Sequence, residues 1–291
     1  MMHLYDLLVS PFVEFGFMRR ALAGCLALAL GSGPIGLFLV LRRMSLMGDA
    51  MSHAVLPGAA IGFMMAGLSL PAMSLGGFVA GVVVALLAGL AVRFTDIRED
   101  ASFAAFYLLS LAVGVLLVSR SGSNVDLMHI LFGSVLAVDD AALLLVAGVA
   151  SFTLLTLALI YRPLLLESLD PVFLRAVGAR GALWHLAFLM LVVLNLVAGF
   201  QALGTLMAVG LMMLPAITAR LWAASVGGML AVAVMLAFAS GLGGLLLSYH
   251  FELPSGPAII LLAGLAYLFS LLFAPLGGAL PRYVRGRHLE H

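Results

Sequence analysis

Pro71-Ala-Met-Ser-Leu-Gly-Gly-Phe-Val-Ala-Gly-Val-Val-Val-Ala-Leu-Leu-Ala-Gly-Leu-Ala-Val92 runs for 22 residues without a charged side chain. As an α-helix it reaches about 33 Å, enough to cross the roughly 30 Å hydrocarbon core of a bilayer. Its Gly77-x-x-x-Gly81 spacing puts small residues on one helix face, where a second backbone can approach closely. Apolar runs of comparable length fall at 20–41, 44–67, 101–119, 139–160, 182–200, 202–221, 225–248 and 256–275. The Gly241, Gly243 and Gly244 cluster repeats the small-residue signal near the end of one of them.

Composition agrees. Hydrophobic residues make up 64% of the chain and charged ones 9%, with a mean hydropathy of +1.23. A soluble domain carries about a quarter charged residues, so this chain lacks the polar surface to face water on all sides. The expectation is an all-α integral membrane fold: a polytopic bundle of about eight or nine transmembrane helices, forming one domain over 1–288. Leu289-Glu290-His291 is set aside as an expression-tag remnant. Residues 1–20 mix acids and bases with apolar residues, which is not the pattern of a cleavable signal peptide.

All 14 cationic residues are Arg; none is Lys. A Walker-type phosphate loop requires a lysine, so any ATP that drives this protein must be bound by another subunit. A net charge of +1 offers no basic face for nucleic acid, and the single Cys25 excludes an internal disulfide. The arginines mark orientation. With nine spans, Arg42/Arg43, Arg93/Arg98, Arg162/Arg175/Arg180, Arg220 and Arg282/Arg285/Arg287 fall on one side, the cytoplasm, leaving Arg19/Arg20 and Arg120 outside. That arrangement has an outward N-terminus and a cytoplasmic C-terminus; eight spans would put the N-terminus inside.

The run at 44–67 is unusual in carrying Asp49 and His53. Ionisable groups inside an apolar segment are costly and mark functional sites by default. Their i, i+4 spacing puts both on one helix face, where a carboxylate oxygen and an imidazole nitrogen can chelate one ion. That donor pair suits zinc and is acceptable to manganese; two copies of the helix would supply four ligands. A packing ion pair is the competing reading. The segment after the fifth run, 161–181, is the longest between spans on the arginine-rich side. Asp170 before Pro171 reads as an N-cap with proline at the first helical position, and Gly178 as a stop, giving a short helix at about 171–177.

Leu41-Arg-Arg-Met-Ser-Leu-Met-Gly-Asp-Ala-Met-Ser-His-Ala-Val-Leu-Pro-Gly58 resembles the signature of the permeases of zinc/manganese-type ATP-binding-cassette importers. The likeness continues through Glu99-Asp100-Ala101, Leu131 to Ser134, Asp170 to Gly178, Gly204 to Ala216 and Leu253 to Pro257. It implies a homodimer in a bacterial-type inner membrane, with cytoplasmic ATP-binding subunits and an extracytoplasmic metal-binding protein as partners. It also implies that the metal, zinc favoured over manganese, is cargo rather than a resident cofactor, and that Asp49 and His53 lie on its path. The cytoplasmic segment becomes a coupling helix, with Asp170, Leu174, Ala176 and Gly178 meeting the ATPase. A proton-coupled secondary transporter is the alternative. An intramembrane enzyme finds no support, since the chain has no His-Glu-x-x-His motif.

Lesser polar sites are read more plainly. Asp126 and His129 belong to an outer loop, and His250 and Glu252 to the membrane interface. Glu99 and Asp100 cap a helix N-terminus, Trp184 and His185 are interface anchors, and Met44, Met47, Met51, Met207, Met212 and Met213 are packing residues.

Overall fold

The computed structural model describes residues 8–67, 69–120, 138–169 and 181–281. Among them are eleven helices: α1 (Ser10–Glu14), α2 (Gly16–Leu41), α3 (Met47–Ala54), α4 (Leu56–Ala66), α5 (Leu70–Phe94), α6 (Glu99–Arg120), α7 (Asp140–Leu169), α8 (Gly181–Leu203), α9 (Thr205–Trp222), α10 (Val226–Phe251) and α11 (Ser255–Phe273). Eight of these are long and apolar enough to cross a bilayer alone. The chain is a multi-pass α-helical membrane protein.

The expected span at 44–67 is the exception. It comprises α3 and α4, joined at Val55, whose backbone stays helical at φ −73° and ψ −27°, so the element is one kinked helix rather than two separate ones. Pro57 causes the kink: it has no N–H, and its ring crowds the carbonyl four residues earlier. The neighbouring helix cradles the joint. Ser110 Oγ of α6 donates to the Ala54 carbonyl at 3.0 Å, and Gly114 of α6 leaves room for the Pro57 ring. On the other side, α4 lies backbone to backbone against α5. A Cβ on Gly58 or on Gly76 would collide with the other's carbonyl, and one on Gly62 with that of Ala72.

Contacts between helix ends fix the course of the chain. The end of α2, the start of α6, the end of α7 and the start of α8 come together through Arg42, Glu99, Glu167 and His185. At the opposite end, Arg20 at the start of α2 meets Asp140 at the start of α7 at 3.5 Å, and Phe15 packs on Tyr249 of α10. The antiparallel pairing of α4 with α5 carries α3–α4 back across the bundle. Among the described residues the path therefore makes nine traverses, eight by single helices and one by the kinked pair. Arg42, Arg43, Arg93, Arg98 and Arg220 end up at one pole and Arg19 and Arg20 at the other, as expected, whereas Arg162 lies within α7, which runs on through Pro163 to Leu169 and so takes up the first nine residues of the segment expected at 161–181. Arg175, Arg180, Arg282, Arg285 and Arg287 lie outside the described residues.

The most enclosed element is α2, packed by α7, α8, α9 and α10. Its first half joins one apolar cluster, around Met18, Cys25 and Leu28, and its second half another, around Ile35, Phe38 and Val40. By contrast α5, α6 and α11 turn Leu75, Val79, Leu109, Leu116, Leu261 and Leu268 outward. On a membrane protein such faces meet lipid tails, and their exposure is no defect. The glycines singled out from sequence sit where helices touch: Gly77 and Gly81 accept the side chains of Val55 and Val193, and Gly244 accepts the backbone at Ile259.

Candidate functional site

The approach to Asp49 begins with a tight reversal after α2. Met44 N–H donates to Leu39 O at 2.9 Å and Arg43 N–H to Val40 O at 3.1 Å, the paired bonds of a Schellman C-cap. Arg43 holds the left-handed position at φ 60°, where glycine is the usual residue and a side chain costs about 1 kcal/mol. Met44 and Leu39 are both buried, supplying the apolar contact that accompanies this cap.

From there α3 starts at Met47 and buries Met47, Gly48, Ala50, Met51, Ser52 and Ala54. Asp49 falls in the first turn, where the helix dipole favours an acid, and Ser52 Oγ donates to Asp49 O at 2.7 Å. Asp49 and His53 occupy the one side of α3 that the core does not cover. Their side chains are 64% and 33% exposed, and His53 Nε2 lies 3.8 Å from Asp49 Oδ1. That separation is beyond a hydrogen bond. It is a few tenths of an ångström wider than the roughly 3.0–3.4 Å between two donors that share one ion at about 2.1 Å. A small side-chain rotation closes the gap.

Opposite stands α6. Leu46, Met47, Asp49 and Ala50 form one wall of a cleft of ≈ 160 Å³, and Asp100, Phe103, Ala104 and Tyr107 form the other. The His53 ring stacks on Tyr107 with centroids 6.2 Å apart, and its buried Nδ1 has no hydrogen-bond partner among the described residues. The ring is thus oriented by packing, with Nε2 on the side of the carboxylate. No group of three or more His, Cys, Asp or Glu side chains gathers to hold a metal among the described residues. The pair by itself offers two donors, and any ion held here needs further ligands beyond it.

The other sequence expectations sort as follows. Asp170, Leu174, Ala176 and Gly178, with the helix expected around them, lie outside the described residues, as do Asp126 and His129. All six methionines considered as soft ligands are buried in the two apolar clusters. His250 and Glu252 are exposed at the end of α10. Trp184 packs against the core, whereas His185 is no interface anchor. It joins Arg42, Glu167 and Glu99 in a polar cluster, with its Nε2 2.9 Å from Glu99 Oε1. Glu99 and Asp100 do open α6, yet Asp100 also faces Asp49 across the cleft. Sequence spacing could not reveal that pairing, because the two acids lie on different helices. The only signal was the Glu99-Asp100-Ala101 block.

Comparison with known proteins gives a consistent result. The model of the ABC 3 transport family matches residues 14–274. The chain is 35% identical over 279 residues to the manganese transport system membrane protein MntC of Halalkalibacterium halodurans, covering 96% of this chain and 94% of that protein. It is 32% identical to the chelated iron transport system membrane protein YfeD of Yersinia pestis, over 93% of this chain and 89% of the relative. Among solved structures, a chain of PsaBC from Streptococcus pneumoniae in complex with a Fab superposes with a TM-score of 0.84 at 32% identity, covering 96% of this chain and 98% of the other.

Proposed function

Because the chain belongs to the ABC 3 transport family, we propose that it is the permease of an ATP-driven importer of divalent transition-metal ions, with manganese its first substrate. The observation that carries this reading is the Asp49–His53 pair, set on the uncovered side of a kinked helix against an open cleft. Two copies of the chain, facing each other across a two-fold axis, supply two carboxylates and two imidazoles to an ion between them. Cytoplasmic ATP-binding subunits drive the cycle from the arginine-rich pole, and an extracytoplasmic binding protein delivers metal to the other. The distribution of arginines supports a cytoplasmic side for the arginine-rich pole, and a bacterial inner membrane is the location this reading assigns.

The incomplete donor set fits transport. A closed shell of protein ligands traps an ion, whereas two donors per chain hold it briefly and let it leave. The same set decides less about the metal. Two monodentate carboxylates and two imidazoles make a tetrahedral site suited to zinc; carboxylates binding through both oxygens give six donors, mostly oxygen, which suits manganese. The manganese and iron named in the relatives' descriptions move our preference from zinc to manganese.

The test is uptake by proteoliposomes holding the permease with its ATP-binding subunits and binding protein. Labelled manganese should enter only with ATP inside the assembled complex, and at equal concentrations about tenfold or more faster than zinc, because zinc binds N/O sites more tightly and leaves more slowly. Faster zinc uptake would sink the choice of metal alone. Uptake by the lone permease under a proton gradient would sink the ATP-driven reading.

A further inference from the structure

One buried polar cluster has no place in the metal path described above. Its hub is Arg42, which follows the last residue of α2 and is only 6% exposed. Arg42 Nη2 donates to Glu167 Oε2 at 2.7 Å and Nε to Ser168 Oγ at 3.1 Å. Nη1 lies 2.8 Å from His185 Nδ1, and the guanidinium sits 4.7 Å above the Phe188 ring. Arginine has only donors, so His185 Nδ1 accepts from it. The ring then carries its proton on Nε2 and donates to Glu99 Oε1 at 2.9 Å. The result is a continuous chain of hydrogen bonds from Glu167 through Arg42 and His185 to Glu99.

Such a cluster is a poor source of stability. Taking a guanidinium and a carboxylate out of water costs nearly what their attraction returns. Its placement is more telling than its energy. Arg42 holds the turn that leads into α3 and Asp49, while Glu99 opens α6, the opposite wall of the same cleft. Glu167 ends α7 and His185 begins α8; in sequence they flank the segment expected to meet the ATPase. The four residues therefore tie both walls of the Asp49 cleft to the two helix ends on which the ATPase would push.

Resting on the importer reading, we propose that Arg42 is a positioning residue for transport. Through Glu167, His185 and Glu99 it passes displacements of the ends of α7 and α8 to the cleft that holds Asp49. Only the forked guanidinium can hold Glu167, Ser168 and His185 at once; a lysine keeps the charge and loses the fork.

The test compares Arg42→Lys and Glu167→Gln with the parent in the reconstituted complex, reading manganese ions transported per ATP hydrolysed. The expected result is a ratio lower by about fivefold or more in both variants, read on assembled complex with ATP hydrolysis continuing; Glu167→Gln, which leaves Arg42 without its carboxylate, should also lower thermal stability. A cluster that merely cements the fold would change the amount of assembled complex and leave that ratio alone. A ratio within about twofold of the parent in both variants overturns the proposal, as does failure of both to assemble. Absence of ATP-driven uptake by the parent removes the importer reading first and this proposal with it.

Discussion

Asp49→Ala and His53→Ala should each cut metal uptake by about a hundredfold in the assembled transporter, since even groups that only orient metal ligands are worth 10- to 100-fold. The fold should survive both. The Asp49 side chain is mostly exposed, and its side-chain partner among the described residues is His53 at 3.8 Å. Removing it leaves no buried group unpaired, so stability should change by less than about 0.5 kcal/mol. His53 also stacks on Tyr107, and its loss should cost somewhat more. Asp49→Asn separates charge from shape: it keeps the volume and weakens the donor, so its uptake should stay close to that of the alanine variant. Labelled manganese uptake, normalised to complex recovered after solubilisation, reads all three. Normal transport by both alanine variants would dismiss the site while leaving the family and the fold untouched.

The largest effect on folding is expected at Gly58. Any side chain there must displace the Gly76 carbonyl, and a backbone cannot turn aside as a flexible side chain can. Overpacking of this kind costs about 1–3 kcal/mol, and the shift moves α3–α4 off α5. Gly58→Ala should therefore lower the unfolding temperature in detergent and reduce uptake together. Gly89 on α5 is the matched control, because a Cβ there meets nothing within 4 Å; Gly89→Ala should stay within about 0.5 kcal/mol of the parent. Equal behaviour of the two variants would mean that the α4–α5 contact is not as close as described.

Membrane residence and the course of the chain were legible because they depend on quantities a sequence carries openly: run length, charge scarcity and the spacing of arginines. Asp49 and His53 were legible because i, i+4 spacing is local. The kink at Val55 was less so, because what steadies the backbone beside Pro57 is Ser110, on another helix. The Arg42 cluster was hidden for the same reason: Arg42 and Glu167 lie 125 positions apart. Arg42 read only as an orientation marker and Glu167 fell in a segment expected between spans; the burial that makes them unusual exists only once four helices converge. His185, read as an anchor by its position at the start of a span, was misjudged on that account.

The kinked helix has a consequence for how the protein is made. Together α3 and α4 run only from Met47 to Ala66, barely the roughly 20 residues that cross a bilayer. An aspartate in the first turn makes insertion of the first piece harder still. The element that carries Asp49 and His53 should therefore enter the membrane with the help of its neighbours, with α5 at its back through Gly58 and Gly76 and α6 bracing the joint through Ser110. It should be the last segment to settle during biogenesis and the first to become protease-sensitive when Gly58 or Ser110 is altered.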